Sequence, residues 1–309
     1  MRQLTVLGSV NADHVVKVDS FPRPGETLHG HGYAVIAGGK GANQAVAAAR
    51  LGANVNFIAS VGDDSFGIGI RKTFEKDGIN VEGVMIEEDT PTGIAMIQVS
   101  ASGENSICIC AEANACLTPK KIAPHQSKIE QADTLLLQLE VPIETIEKAA
   151  KIANLSGTSV VLNPAPAQAL SDQLLALVDI ITPNETEAEI LTGIKVCDDQ
   201  SAQQAANVLH DKGINTVLIT LGSKGVWLSK TGIGQRIEGY RVQAVDTTAA
   251  GDTFNGAFLT GLLEDKSLDE AILFAHAAAA LTVTAEGAQS SIPYRDDVIN
   301  FLKARVSKT

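Results

Sequence analysis

Short runs of β-branched and aliphatic residues alternate along this chain with longer, Ala-rich amphipathic stretches. Residues 55–61, 134–139, 159–162, 180–182 and 216–220 are almost continuously apolar, the pattern of strands covered on both faces. Between them, residues 41–51, 143–153, 185–191 and 201–212 place apolar side chains at helical spacing. Residues 1–8 read as a further strand that ends in a turn at Gly8. This alternation predicts an α/β fold with a mainly parallel central sheet and helices on both faces. Ligands then belong at the carboxyl ends of the strands.

Two stretches break the pattern. Residues 13–36, with the turn Phe21-Pro22-Arg23-Pro24-Gly25, and residues 92–110, with Ser102-Gly103-Glu104-Asn105, read as two hairpins. Together they predict a small β-sheet inserted into the α/β domain. Its second face would need covering, so it is expected to act as a lid, a dimer interface, or both. No internal repeat, low-complexity tract or flexible linker separates it from the rest, which predicts one α/β domain over residues 1–309 carrying this insert.

Composition narrows the classes. With 45% hydrophobic residues, a chain of 309 residues can bury a large core. The formal net charge of -12 argues against a nucleic-acid backbone as partner, because such binding is mostly neutralisation by Lys and Arg. The N-terminus has no cleavable apolar segment and no stretch approaches the length of a membrane span, so a cytoplasmic protein without a membrane partner is expected. Cys108, Cys110, Cys116 and Cys197 lack paired zinc-site spacing. Cys108 and Cys110 alternate with Ile107 and Ile109, as on one face of a strand, and all four read as ordinary thiols.

The stretch Val245-Asp246-Thr247-Thr248-Ala249-Ala250-Gly251-Asp252-Thr253-Phe254 sets small residues and a carboxylate at the entrance to a helix. Small residues let a ligand approach the backbone, and the free N–H groups of a first helical turn suit an anion. Asp252 reads either as a base inside that anion site or as a simple helix cap. Near the N-terminus, Asn11-Ala12-Asp13 follows the first strand and Gly38-Gly39-Lys40-Gly41-Ala42-Asn43 opens the first long helix. These offer the mixed donors and acceptors that vicinal hydroxyls need, although a glycine-rich turn into a helix is also a structural device. The loop is not a Walker A motif, and no Gly-x-Gly-x-x-Gly follows a strand. Asn184 and Glu187 read as a capping box or as help in holding Mg²⁺. Thr220-Leu221-Gly222-Ser223-Lys224-Gly225 suits nucleotide phosphates or a tight hairpin before Val226-Trp227-Leu228.

Taken together, the Gly38–Asn43 segment, Asn184-x-x-Glu187 and Asp246-Thr247-Thr248-Ala249-Ala250-Gly251-Asp252-Thr253-Phe254 resemble the signatures of the ribokinase family of carbohydrate and nucleoside kinases. Gly8-Ser9-Val10-Asn11-Ala12-Asp13, Leu137-Gln138-Leu139-Glu140, Leu162-Asn163-Pro164-Ala165-Pro166 and Phe274-Ala275-His276-Ala277-Ala278-Ala279 extend the resemblance over nearly the whole chain.

The resemblance implies transfer of the ATP γ-phosphate to the 5-hydroxyl of D-ribose, with Asp252 as base and the amides of Ala249, Ala250, Gly251 and Asp252 as anion hole. It implies that Asn11, Asp13, Gly39, Lys40, Gly41, Ala42, Asn43 and Glu140, together with Asp252, hold the sugar. Asn184, Thr220, Leu221, Gly222, Ser223, Lys224, Gly225, Gly251 and His276 would line the nucleotide site, and Glu187 would hold Mg²⁺ through water. A monovalent cation, usually K⁺, would lie among Asp246, Thr248, Thr282, Ala285, Gly287 and Ser291. Glu286 departs from the basic residues frequent in relatives, which bears on local surface charge. The inserted sheet would correspond to a lid that also builds a homodimer. Two other readings remain at this stage: a kinase of the same family acting on a different sugar or a nucleoside, and a non-catalytic sugar-binding regulator. The aromatic content of 4% and the intact Asp252 weigh against the nucleoside and the silent readings respectively.

Overall fold

The computed structural model describes residues 2–306; Met1, part of the predicted first strand, lies outside the described residues. Thirteen strands occur among them: β1 (Gln3–Leu7), β2 (Asn11–Lys17), β3 (Gly32–Gly38), β4 (Asn54–Gly62), β5 (Asn80–Glu87), β6 (Gly93–Val99), β7 (Asn105–Cys110), β8 (Thr134–Leu137), β9 (Ser159–Leu162), β10 (Ile180–Ile181), β11 (Thr216–Thr220), β12 (Val226–Lys230) and β13 (Ile233–Ile237). Nine form one sheet in the order β13-β12-β11-β10-β9-β8-β1-β4-β5. Pairing is parallel from β11 through β5, and β12 and β13 add an antiparallel edge.

Both faces of this sheet are covered, as the uninterrupted apolar runs require. Successive side chains point to opposite faces, so Leu136 and Val161 enter one buried cluster with Phe57, Phe254 and Phe258, while Leu135, Leu137, Val160 and Leu162 enter the other with Ile146 and Leu209. Strands 159–162 and 216–220 match expectation at both ends, and the predicted helices are found at Lys40–Arg50, Ile143–Ser156, Glu185–Thr192 and Asp199–Asp211.

The two predicted hairpins are β2–β3 and β6–β7, each antiparallel. They join through parallel pairing of β2 with β6 into a second sheet, ordered β3-β2-β6-β7. Strand β2 begins at Asn11, two residues earlier than the hairpin predicts, so Asn11 and Asp13 lie on one face of this small sheet. Asp13 shares its cross-strand row with Ile36, Ala95 and Ile109. The opposite face presents Tyr33, Val35 and Met96, all exposed.

The first helix (Lys40–Arg50) crosses the Ala250–Leu263 helix at close quarters, and Gly256 makes that crossing possible. A Cβ there would lie 2.7 Å from both the Ala47 Cβ and the Gln44 carbonyl oxygen. Ala and Gly at the contact therefore bring the amino-terminal turns of two helices together, and with them Asn43, Gln44 and Asp252.

Candidate active site

Strands β1, β8, β9, β10 and β11 lie side by side and parallel, so the residues that leave their carboxyl ends gather in one place. These residues are Ser9 to Asp13, Gln138 to Glu140, Asn163, Thr182 to Glu187 and Leu221 to Gly225. The amino-terminal turns of the first helix, the Glu185–Thr192 helix and the Ala250–Leu263 helix carry the rest of the site.

Asp252 sits in the first turn of its helix, buried to 8% exposure. Both of its carboxylate oxygens accept an amide N–H: Asn43 Nδ2 donates to Oδ2 at 3.0 Å and Gln44 Nε2 to Oδ1 at 2.9 Å. Ala249 precedes the helix with φ of 59°, a left-handed conformation uncommon for a residue with a Cβ. The Ala250 N–H donates to the Thr247 carbonyl at 3.3 Å. Among the four predicted hole amides, Gly251 and Asp252 are therefore the ones whose N–H groups stand in a first turn without a helical acceptor. The Asp252 carboxylate thus stands beside two first-turn amides without a helical acceptor, while the Ala250 N–H has an acceptor in the preceding turn.

Around Asp252 stand Asp13, Glu140 and Glu187, with Lys40 among them. Burial pushes the Asp13 carboxyl up to about 7, and the charges of Glu140 and Asp252 push the same way, against Lys40. Burial opposes the charge on Lys40, yet Asp252, Glu140, Glu187 and Asp13 together hold its pKa above the ordinary lysine value. Burial also raises Glu187, while the Asn184 amide and Lys40 oppose the shift. Glu140 Oε2 accepts from the Ser9 hydroxyl at 2.6 Å and from the Lys40 amide at 3.0 Å, so it ties the β1 loop to the first helix. Gly39, with φ of 89°, allows this approach: a Cβ there would stand 2.8 Å from the Asn11 nitrogen.

Asn11 is oriented by Asn114, whose Nδ2 donates to Asn11 Oδ1 at 2.8 Å and whose Oδ1 accepts from the Val10 amide at 2.9 Å. Two buried oxygens near this wall, Asp13 Oδ1 and Asn43 Oδ1, have no hydrogen-bond partner among the described residues. Buried acceptors are seldom left this way, which makes these two oxygens candidates to accept from the hydroxyls of a ligand.

Next to the Asp252 turn a cavity of about 650 Å³ is lined by Thr220, Gly222, Ser223, Lys224, Gly225, Gly251 and His276, all predicted, and also by residues 238–242, Thr247, Ala250, Phe254, Ala279, Ala280 and Val283. Asn184 and Leu221 are not among its walls. Asn184 Oδ1 and the Asn184 backbone N–H form a reciprocal capping box with Glu187, each bond 2.8 Å, and Leu221 is buried in the core. Burial lowers His276 to about 4, against a hydrogen bond that its ring donates to the Ile237 backbone carbonyl, so its imidazole is neutral at physiological pH, and its buried Nε2 has no partner.

The six residues predicted to surround a monovalent cation also converge. Asp246 Oδ1 accepts from the Thr248 amide and hydroxyl at 2.9 and 2.7 Å, and Oδ2 accepts from the Gly287 amide at 2.9 Å. Burial works against its charge, but these bonds and Lys17 hold the Asp246 carboxyl below the usual range. The Ala285 amide donates to the Thr282 carbonyl, and Ser291 donates to the Gly287 and Ala288 carbonyls. No cluster of three or more His, Cys, Asp or Glu side chains among the described residues could hold a metal ion by itself.

Sequence reasoning did not single out Gln44, Asn114 or the cavity wall at residues 238–242. Their places depend on contacts between distant segments, which local spacing does not carry.

The sequence profile described as pfkB family carbohydrate kinase matches residues 1–295. The chain is 57% identical over 302 residues to the ribokinase of Haemophilus influenzae, covering 98% of this chain and 99% of that protein. It is 45% identical over 298 residues to the ribokinase of Staphylococcus aureus, covering 96% and 98%. The structure of Arabidopsis thaliana ribokinase complexed with ribose and ATP superposes with a TM-score of 0.92 at 35% identity, covering 98% of this chain and 99% of that one.

A folded Asp13 pKa of about 7, above its ordinary 3.8, sets the sign of a pH effect. Below about pH 4 the group is protonated in both states and costs nothing; its penalty grows as the pH rises from there toward 7. Replacing it by the neutral isostere, Asp13→Asn, is expected to stabilise the protein more at pH 8 than at pH 5, by about 1–3 kcal/mol or a few °C in Tm. Thermal unfolding of both proteins at the two pH values checks this; an equal or smaller gain at pH 8 contradicts it.

Proposed function

The chain belongs to the pfkB family of carbohydrate kinases, and from that membership and its site we propose that it transfers the γ-phosphoryl group of ATP to the 5-hydroxyl of D-ribose, giving ribose 5-phosphate and ADP. One observation carries the reading. Asp252, at a helix amino terminus, stands between a wall of unpartnered buried acceptors and a glycine-lined cavity of about 650 Å³.

The sugar is held by Asn11, Asp13, Asn43, Glu140 and the backbone of residues 39–42, whose oxygens and amides match its hydroxyls. Asp252 takes the hydroxyl proton as the sugar oxygen bonds to the γ-phosphorus and the bond to the ADP oxygen breaks. The Gly251 and Asp252 amides donate to the transferring oxygens, where preorganised N–H groups stabilise developing charge. Lys40 adds the positive charge that a phosphoryl group needs beside so many carboxylates.

The nucleotide occupies the cavity, its phosphates toward residues 222–225 and its base toward His276 and the 238–242 segment. Neutral His276 offers a ring face and one nitrogen without adding its own charge to those of Lys224, Arg236 and Arg241 in the cavity walls. Glu187 would hold Mg²⁺ through water, and the ion would supply neutralisation of phosphate charge. Asp246, Thr248, Thr282, Ala285, Gly287 and Ser291 would hold a monovalent cation such as K⁺, whose charge would support the anion hole, because the ionised Asp246 joins the two loops next to the Ala250–Leu263 helix.

Residues 1–309 act as one α/β kinase domain, and the four-stranded sheet is its lid. The exposed Tyr33, Val35 and Met96 on the outer face are covered by a second copy, making a homodimer. The absence of any helix long and apolar enough to cross a membrane, among the described residues, is compatible with cytoplasmic work on soluble substrates.

Asp252→Asn removes the base and leaves the isostere's hydrogen-bonding shape, so kcat is expected to fall about 10²–10⁴-fold while ribose binding persists. Steady-state kinetics and calorimetric titration check this; near-normal turnover would remove Asp252 from the mechanism. In the same assay, exchanging KCl for tetramethylammonium chloride is expected to lower turnover of the unaltered protein, and an unchanged rate would remove the cation. Light scattering on an eluting column is expected to return twice the 32.3 kDa chain mass; the mass of one chain would remove the lid interface.

A further inference from the structure

Asp252 Oδ1 is one end of a chain of buried side-chain amides with a single possible direction. It starts at the Thr182 main-chain carbonyl, which can only accept, and Asn163 Nδ2 donates to it at 3.1 Å. That contact turns Asn163 Oδ1 toward Gln44, whose Nε2 donates to it at 3.0 Å. The second hydrogen of the same Nε2 reaches Asp252 Oδ1 at 2.9 Å. Gln44 Oε1 then faces the other way and accepts from Gln138 Nε2 at 2.7 Å. Gln44 and Gln138 are fully buried, and Asn163 nearly so.

We propose that Gln44 is a positioning residue for Asp252, locked in one amide orientation by Asn163 and Gln138 so that it always presents N–H to the carboxylate. The inference rests on the reading of Asp252 as the base. A carboxylate held through one oxygen can turn about its Cβ–Cγ bond, whereas donors on both oxygens fix its plane. Asn43 supplies one donor from the first helix and Gln44 the other from the next residue of that helix. A flipped Gln44 amide would set its oxygen against Asp252 Oδ1 and Asn163 Oδ1, and would face its NH₂ group to that of Gln138. The surrounding chain thus excludes the flipped state.

The same strand end acts on the helix itself. The Thr182 hydroxyl donates to Asn255 Oδ1 at 2.7 Å, and Asn255 Nδ2 donates to the Gly251 carbonyl at 2.9 Å. Carboxylate and anion-binding turn are therefore referenced to one residue of the sheet, which fixes their mutual geometry.

The test is kinetic, on the full chain with ribose and MgATP. Gln44→Met keeps length and removes the donor; kcat is expected to fall about 10–10²-fold, the size of effect that misplacing a reacting group produces. The KM for ribose should move less than about threefold, because the sugar-facing groups are untouched. In an Asp252→Asn background the same change should cost little more, since Gln44 acts through that carboxylate. Gln138→Met, two links from Asp252, should give a smaller loss of kcat in the same direction, and it carries the test if Gln44→Met does not fold. Wild-type kcat in whichever variant folds, a loss expressed in KM instead, or a full multiplicative loss in the Asp252→Asn background would each overturn the proposal. Near-normal turnover of Asp252→Asn alone would overturn the base reading on which it rests, a separate result.

Discussion

Everything at this site depends on burying negative charge. Asp13, Glu140, Glu187 and Asp252 converge on Lys40, one ammonium among four carboxylates. Such a cluster costs stability unless other positive groups share the load. Here part of the compensation is backbone. The amino-terminal turns of the Lys40–Arg50, Glu185–Thr192 and Ala250–Leu263 helices all contribute residues to the cluster, and their free amides carry partial positive charge. The remaining strain appears as a proton: Asp13 is held near neutrality by burial and by its neighbours. An arrangement whose own charges oppose one another is suited to a reaction that brings cations, donor hydroxyls and a transferring phosphoryl group into the same space.

The fold supplies this convergence through topology. Five parallel strands end side by side, and each hands a loop to the same crevice. The close crossing at Gly256 presses two helix starts together, so Asn43 and Gln44 from one helix grip the carboxylate of the other. The small sheet contributes Asn11 and Asp13 from its own strand β2. On the proposed reading the sugar would be recognised partly by this sheet, which would couple closure of the site to occupancy.

Much of this was readable from residue order. Strands buried on both faces announce themselves as unbroken apolar runs, and the glycine-rich Gly38–Asn43 and Ala249–Asp252 segments carry their backbone demands in composition. What escaped was of two kinds. Gln44 and Asn114 are polar residues inside helical turns, and their partners are more than 90 positions away, so no local pattern marks them. The edge strand β13 and the irregular 238–242 wall have mixed polarity because one side is open, with Ile233 80% exposed, and they lack the periodicity that identifies a covered strand. The occupied Ala250 amide likewise follows from the left-handed turn at Ala249, where no glycine signals it.

The central claim is that this site phosphorylates ribose from ATP. The most direct measurement is ADP release from MgATP with the purified protein, comparing D-ribose, 2-deoxyribose, fructose and adenosine as acceptors, with the phosphorylated product identified by ³¹P NMR. The account predicts turnover that depends on an acceptor, is fastest with ribose, and yields ribose 5-phosphate. Turnover confined to another acceptor would contradict the assigned substrate, and no acceptor-dependent ADP release at all would contradict the enzyme itself.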